Sequence, residues 1–287
     1  MLRSVASRLL FSIAAAYSIY VLADSTAAVK PLRVLLVIGG CCHDYETQKL
    51  LLAEGISARA NVDIHIEHNL DKTTKATFEI YKNADWAKDY DVILHDECCS
   101  NVTDQPYVAN ILNAHKNGVP AVNLHCAMHS YRWGDFRNPA LKLSDENAQW
   151  YEFTGMQTFT HGPKEPISVT VVDKASPITK GTPDFTTIQE ELYHCIQLFP
   201  NCHPLLKGDQ VVTDKKTQQT KTDTAVIAWT NEYGPNKTRV FSTTLGHNNE
   251  TVGDARYLDF VTRGLLWAAG KLGEDGKPLA GYESTQK

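Results

Sequence analysis

The chain has 287 residues, 43% of them hydrophobic and 21% charged, a balance that excludes disordered, collagenous and coiled-coil classes. Its formal net charge is -5, with 28 Lys and Arg against 33 Asp and Glu. With no basic stripe along the chain, no nucleic-acid partner is expected.

Residues 1–23 differ from the rest. Arg3 and Arg8 precede Leu9, Leu10, Phe11 and Ile13, and an apolar run continues to Ala23. This is the pattern of a secretory signal peptide, with Val21-Leu22-Ala23 as the cleavage sequence and Ser25-Thr26-Ala27 as a second one. A retained membrane anchor is the alternative, but the stretch is short for a span. The expected location is therefore periplasmic or extracellular, with no stable membrane span after cleavage. Export permits disulfides. The seven cysteines are an odd number, so intramolecular pairing leaves at least one free. Adjacent pairs such as Cys41-Cys42 and Cys98-Cys99 are expected to bond across the fold, if at all, rather than to each other. No C-x-x-C pair supports thiol–disulfide oxidoreductase chemistry.

The first strand is Arg33 to Ile38, a buried apolar run ending in Gly39-Gly40. Thr47 to Ala60 has helical spacing, through Leu50, Leu51, Ala53, Ile56 and Ala60. Asn61 to Ile66 alternates as a second strand, and Tyr90 to Leu94 is a third. Asp104 to Asn117 reads as a helix with Gly118 as its stop. Pro120 to Leu124 is the next strand. Residues 131–166 read as a long excursion with short helices, and Ile167 to Val172 as a strand. Residues 207–224 are polar and read as an exposed hairpin or loop. Thr224 to Trp229 and Arg239 to Thr244 are strands, and Tyr257 to Ala269 is the closing helix. The tail after Gly270 is polar and expected to be loose. Strands alternating with helices predict an α/β, three-layer domain with a mostly parallel, flavodoxin-like sheet over residues 32–270, and strand 120–124 near its centre.

The strand ends carry the chemistry. The first runs into Gly39-Gly40-Cys41-Cys42-His43-Asp44, the third into His95-Asp96-Glu97, the fourth into His125-Cys126-Ala127-Met128-His129, and a late one into Gly246-His247. Ligands of open α/β sheets bind beyond the carboxyl ends of the strands, so these groups are expected to face one crevice. No G-x-G-x-x-G or phosphate-loop motif follows the first strand, so no nicotinamide or nucleotide cofactor is expected. Cys126 follows a strand as an exposed nucleophile would, but it lacks tight glycine flanks and is read as a packed small side chain or disulfide partner. His43, His125, His161, His194 and His247 are candidate ligands for a divalent metal, zinc in the first place, with the run at 95–97 as ligand or supporting carboxylate. Trp133, Tyr193, Asp96 and Glu97 are candidate substrate-binding residues, since aromatic faces stack on sugar rings and carboxylates bind hydroxyls. Asn101-Val102-Thr103 and Asn236-Lys237-Thr238 are formal glycosylation sequons.

The chain resembles the ThuA-like, or trehalose-utilisation, family. The resemblance rests on Val34 to Gly40, Tyr90-Asp91-Val92-Ile93, Val122-Asn123-Leu124-His125-Cys126-Ala127, Thr160-His161-Gly162-Pro163 and Glu190-Glu191-Leu192-Tyr193. It continues in Ala228-Trp229-Thr230, Arg239-Val240-Phe241, Leu245-Gly246-His247 and Gly264 to Gly270. It implies a class I glutamine amidotransferase-like fold and a role in catabolism of trehalose and related sugars, including 3-keto sugars. Matched strand to strand, His125 and not Cys126 falls at the elbow where those relatives carry a catalytic cysteine, which argues against glutamine hydrolysis. Family members often have Gly-His-Pro where this chain has Thr160-His161-Gly162-Pro163. The expected reaction is hydrolysis or isomerisation of a 3-keto glycoside by histidine acid–base chemistry. His125 is the expected base, His247 and Glu191 its acid–base partners, and Asp44 the residue that orients His43. The alternatives are a carbohydrate-binding or structural module without turnover and a metal-dependent hydrolase using bound water. The oligomeric state is left open.

Overall fold

The computed structural model describes residues 29–137 and 139–286. The export signal read at residues 1–23 lies outside them. Among the described residues no helix is long and apolar enough to cross a membrane.

The first strand, β1 (Leu32–Gly40), is buried along almost its whole length. Its alternation splits the interior in two: Val34, Leu36 and Ile38 face one layer, and Leu35 and Val37 the other. Each such side chain contributes roughly 1.5–3 kcal/mol when fully buried. The helix α1 (Tyr45–Ser57) starts where the Asp44 carboxylate accepts from the Thr47 N–H, the usual N-cap bond. It packs with α5 (Ala255–Ala268), capped in the same way by Asp254, on the first face. The helix α2 (Gln105–Lys116), capped by Asp104, covers the second face through Val108, Ile111 and Leu112. Gly118 follows at φ 107 as the expected stop. The three layers of the expected α/β fold are thus present.

The strands β2 (Val62–Asn69), β1, β3 (Val92–Cys98), β4 (Ala121–Leu124) and β9 (Thr238–Thr243) form a parallel, flavodoxin-like half in that order. β4 is fourth of the nine strands, next to the middle one. The sheet then continues antiparallel through β8 (Thr220–Tyr233), β7 (Cys202–Thr213), β5 (Met156–Val171) and β6 (Phe185–Leu198). This antiparallel half is larger than the sequence pattern indicates. The expected excursion over 131–166 is short: it holds α3 (Gln149–Thr154) and gives way at Met156 to the long strand β5. The polar stretch 207–224 is a hairpin, with Thr213 paired to Thr220.

The tail after Gly270 is not loose. Leu272 bridges Pro278 and Glu283 bridges Ala60. The Asn61 N–H donates to the Tyr282 carbonyl at 2.9 Å, and the Ser284 hydroxyl to Ser57 O at 2.8 Å. Leu272 and Tyr282 pack on the core, an apolar pair that a mean-polarity reading overlooks.

Candidate functional site

The carboxyl ends of β1, β4 and β9 lie together, with Gly40 opposite Cys98 and Leu124 opposite Thr243 in the ladder. They deliver His43, His125 and His247 to one cup. Gly40 turns out of β1 at φ 91, and a Cβ there would come within 2.4 Å of the Cys98 carbonyl, so glycine alone lets the loop begin so close to β3. His125 has φ 40, left-handed for a residue with a side chain. That strain is held by the short 3-10 helix His125–His129 on one side and β4 on the other, and it aims the imidazole out of the strand end.

The fourth group comes from the antiparallel half. Glu191 on β6 reaches into the cup with Oε2 3.5 Å from His125 Nε2 and 3.5 Å from His161 Nε2, and Oε1 3.3 Å from His247 Nδ1. Burial would raise the Glu191 carboxyl, but its contacts with His125 and His247 and the field of His125 and His161 prevail and hold it well below the usual carboxylate range. Glu190 supports the arrangement by accepting the His247 backbone N–H at 3.1 Å.

The outer nitrogens fix the tautomers. His125 Nδ1 donates to the Thr244 carbonyl at 2.6 Å, and His161 Nδ1 to the Gly162 carbonyl at 2.8 Å. A carbonyl only accepts, so each neutral ring presents its Nε2 lone pair to Glu191. At 3.5 Å these contacts are too long for good hydrogen bonds, and buried His125 Nε2 and His247 Nδ1 have no hydrogen-bond partner among the described residues. Lone pairs facing a carboxylate ask for a cation or a proton between them. His125, Glu191 and His247 offer ligand atoms within 4.8 Å of one another, as do His43, His125 and Cys126, so either group could hold a metal ion.

His43 donates from Nδ1 to the His247 carbonyl at 3.3 Å and stands 3.0 Å from Cys126 Sγ through Nε2. Burial first, then the neighbouring His125 and His247, pull its pKa down to about 2. The Cys126 thiol is pushed up by its contact with Cys98 and by burial. A neutral imidazole beside a neutral thiol is not the activated pair of a cysteine nucleophile, so Cys126 is a packed, free thiol, as its flanks indicate.

Other expected residues are placed elsewhere. β3 extends through Cys98, so His95, Asp96 and Glu97 lie inside the strand and not beyond its end. Asp96 and Glu97 are buried at 4% and 0% exposure. Glu97 is tied to His95, Tyr81 and Tyr131 on the α2 face, and neither carboxylate lines the cleft that holds Glu191. His194 is exposed beside Tyr193 and outside the cup. Trp133 packs against the second core cluster. Asp44 does not orient His43: it caps α1 and accepts from Asn249 Nδ2 at 2.7 Å. Tyr193 is buried, its ring stacked 4.1 Å from that of His129, and it forms the floor of the cup. The cysteines differ as well. Cys41 and Cys42 are bonded to each other, leaving Cys98, Cys99, Cys126, Cys195 and Cys202 free. Glycines at 39 and 40 and a left-handed Cys42 at φ 85 turn the chain sharply enough for neighbouring sulfurs to meet.

His129, among the strand-end groups, lines the same cleft of about 180 Å³ as Cys126, His161, Glu191 and His247; so does Arg132, which the sequence pattern does not single out. Its place on the same loop as His125 and His129 is the signal that points to it.

Among curated proteins no sequence matches the chain. Among solved structures, a ThuA-like protein from Parabacteroides merdae aligns with a TM-score of 0.62 at 19% identity, covering 90% of this chain and 93% of that one. A ThuA-like protein from Bacteroides uniformis aligns with a TM-score of 0.56 at 16% identity, covering 89% and 98%. A GMP synthase component from Thermoplasma acidophilum aligns at 0.45 and 12% identity, covering 83% and 94%. The fold is that of these ThuA-like proteins. The family model described as trehalose utilisation matches residues 33–268, nearly the whole described α/β unit, and the chain belongs to that ThuA family.

Proposed function

We propose that the cup formed by His125, Glu191, His247, His161 and His43 is an active site for an oxidised sugar, a 3-keto glycoside, within the carbohydrate role of the family. The observation that carries this reading is the buried, unpartnered Nε2 lone pair of His125, held on a strained strand end beside an ionised carboxylate. A ketone at C3 acidifies the C2 proton, because an enediolate holds the developing charge. His125 Nε2 takes that proton and the electron pair moves onto the carbonyl oxygen. Collapse of the enediolate breaks the C1–O bond, and His247 protonates the departing glycosyl oxygen. Water then adds at C1, giving a proton back to His247, while His125 returns its proton to C2, so the net reaction is hydrolysis. Return of the proton to another carbon gives isomerisation instead. Glu191 favours the imidazolium formed on His125 by charge.

A second reading, a metal-dependent hydrolase, is favoured by spacing. Ligands 2.0–2.1 Å from a tetrahedral zinc ion stand roughly 3.3–3.4 Å apart, close to the 3.3 and 3.5 Å that separate Glu191 from His247 and His125. Such an ion would supply an activated water or polarise the ketone.

Incubation of 3-keto glycosides in deuterated water, followed by NMR, separates the two. Deuterium at C2 is expected for proton abstraction. Cleavage without it, in protein whose metal content by elemental analysis approaches one ion per chain, supports the second reading. No turnover across a keto-sugar panel, with metal supplied, would leave a carbohydrate-binding module. Export of the chain after cleavage at Ala23 belongs to the same proposal, and N-terminal sequencing of the protein from its producing cells tests it.

A further inference from the structure

The cleft contains one guanidinium, Arg132, on the wall next to His129, His161 and Glu191. It is half-buried. Nη1 donates to the Phe159 carbonyl at 3.1 Å, while buried Nε has no hydrogen-bond partner among the described residues. Arg33, Arg59 and Arg256 each pair with a carboxylate, at 3.6 Å or less. Among the described residues Arg132, Arg137, Arg239 and Arg263 have no such partner; Arg239 and Arg263 donate to backbone carbonyls away from the cleft, and Arg132 and Arg137 stand side by side. They bracket the same ring, with guanidinium carbons 4.9 and 4.5 Å from the centroid of Phe136. Two like charges thus flank Phe136, one of them on the cleft wall, in a chain whose net charge is -5.

A guanidinium does not give up its proton in a protein, and an unpaired charge withdrawn from water is costly. Burial, the first of the influences on Arg132, already works against its charged form. The Phe159 carbonyl and the Phe136 ring compensate in part, but no neighbouring anion does. Burial keeps the Tyr151 phenol protonated, and the Cys126 thiol is held neutral. Glu191, the single carboxylate lining this cleft among the described residues, faces His125, His161 and His247 and not Arg132.

We infer that Arg132 is a specificity-determining residue that binds an anionic oxygen group on the sugar, a carboxylate or a phosphate, so that the substrates are acidic sugars in preference to neutral ones. This rests on the reading of the cup as a sugar site. The planar fork of arginine matches either group through two parallel N–H bonds, and Arg137 beside it adds longer-range attraction. The anion pairs with the Arg132 guanidinium, and the ring carrying it extends toward His125 and Glu191.

Isothermal titration of the full chain, dialysed against chelator, with D-glucuronate, D-glucose 6-phosphate and D-glucose tests the inference. At least one anionic sugar is expected to bind tenfold or more tightly than glucose, and which one identifies the group. Arg132→Gln should erase the preference, while Arg132→Lys should retain part of it. Unfolding curves show whether each variant is folded. Equal binding of all three sugars by the wild type overturns the inference, whether or not the glutamine variant folds, and so does an undiminished preference in folded Arg132→Gln. His125→Ala should abolish turnover and keep the preference. An anionic preference without turnover of any keto sugar would reject the proposed reaction and leave this inference standing.

Discussion

Two histidine–glutamate clusters lie on the same sheet, and they differ in closure. In one, His95, His115, Glu97, Tyr81 and Tyr131 are all buried. His95 Nδ1 bonds Glu97 Oε1 at 3.0 Å, His95 Nε2 bonds His115 Nε2 at 3.0 Å, and His115 Nδ1 ends on the Val119 carbonyl at 2.7 Å. In the other, His125 and His161 stand 3.5 Å from Glu191, and the side chain of His161 is 40% exposed. The residue types are the same. What separates a structural network from a reactive one here is whether the protein itself completes the hydrogen bonds of the imidazoles.

The largest expected effect is on turnover. His125→Ala or Glu191→Gln should lower kcat by roughly 100- to 10,000-fold on a 3-keto glycoside, with the melting temperature nearly unchanged. A comparable loss from a substitution in the closed cluster, in folded protein, would dissolve the distinction. Conversely, Glu97→Ala should destabilise the fold by roughly 3–5 kcal/mol, because it strips a buried network of its acceptor, while leaving the kcat of the folded fraction intact. Urea unfolding measures the first quantity and initial rates the second.

Acid sharpens the comparison further. His115 is buried, and desolvation followed by the field of His95 pulls its pKa from 6.5 down to about 3. Between those values the unfolded chain binds a proton there that the folded chain does not, so stability falls as pH drops. The contribution of this group is about 1.4 kcal/mol per pH unit. His115→Gln should flatten the pH dependence of ΔG below pH 6.5, as read from urea midpoints. An unchanged slope would mean that His115 takes up a proton in the folded protein. The smallest effect is expected at Cys126. Cys126→Ala should change kcat by less than about tenfold, since its thiol is neutral and only packs against His43 and Tyr193. A complete loss in folded protein would restore it as a nucleophile.

The parallel half was legible because its strands are apolar or alternating runs and its helices carry apolar residues at helical spacing. The ladder of β5 and β6 was not. Many of its residues are polar and exposed, and its register shifts between Gln157 and Thr158, Thr158 and His161, His161 and Lys164, and Pro166 and Ser168, so no clean alternation survives. The histidines at strand ends could be found from the order of runs and turns. His161 and Glu191 needed the family resemblance, because they sit on that irregular ladder. Asp96 and Glu97 misled because an apolar run ended at Leu94 while the strand did not: residues 95–97 stay in register with Val37, Ile38 and Gly39.

The carboxylate of the cup comes from the outermost strand of the antiparallel half, whereas His43, His125 and His247 come from the parallel half. Residues 43, 125, 191 and 247 are far apart in the chain, so their meeting is a long-range event that follows the closure of large loops. During folding the histidines can assemble before Glu191 arrives, and a sub-global opening confined to β5 and β6 would withdraw it again with the parallel core intact. The outer ladder thereby makes chemical competence conditional on complete folding, and the cup's ability to bind its ligand reports the integrity of strands that lie at the edge of the sheet.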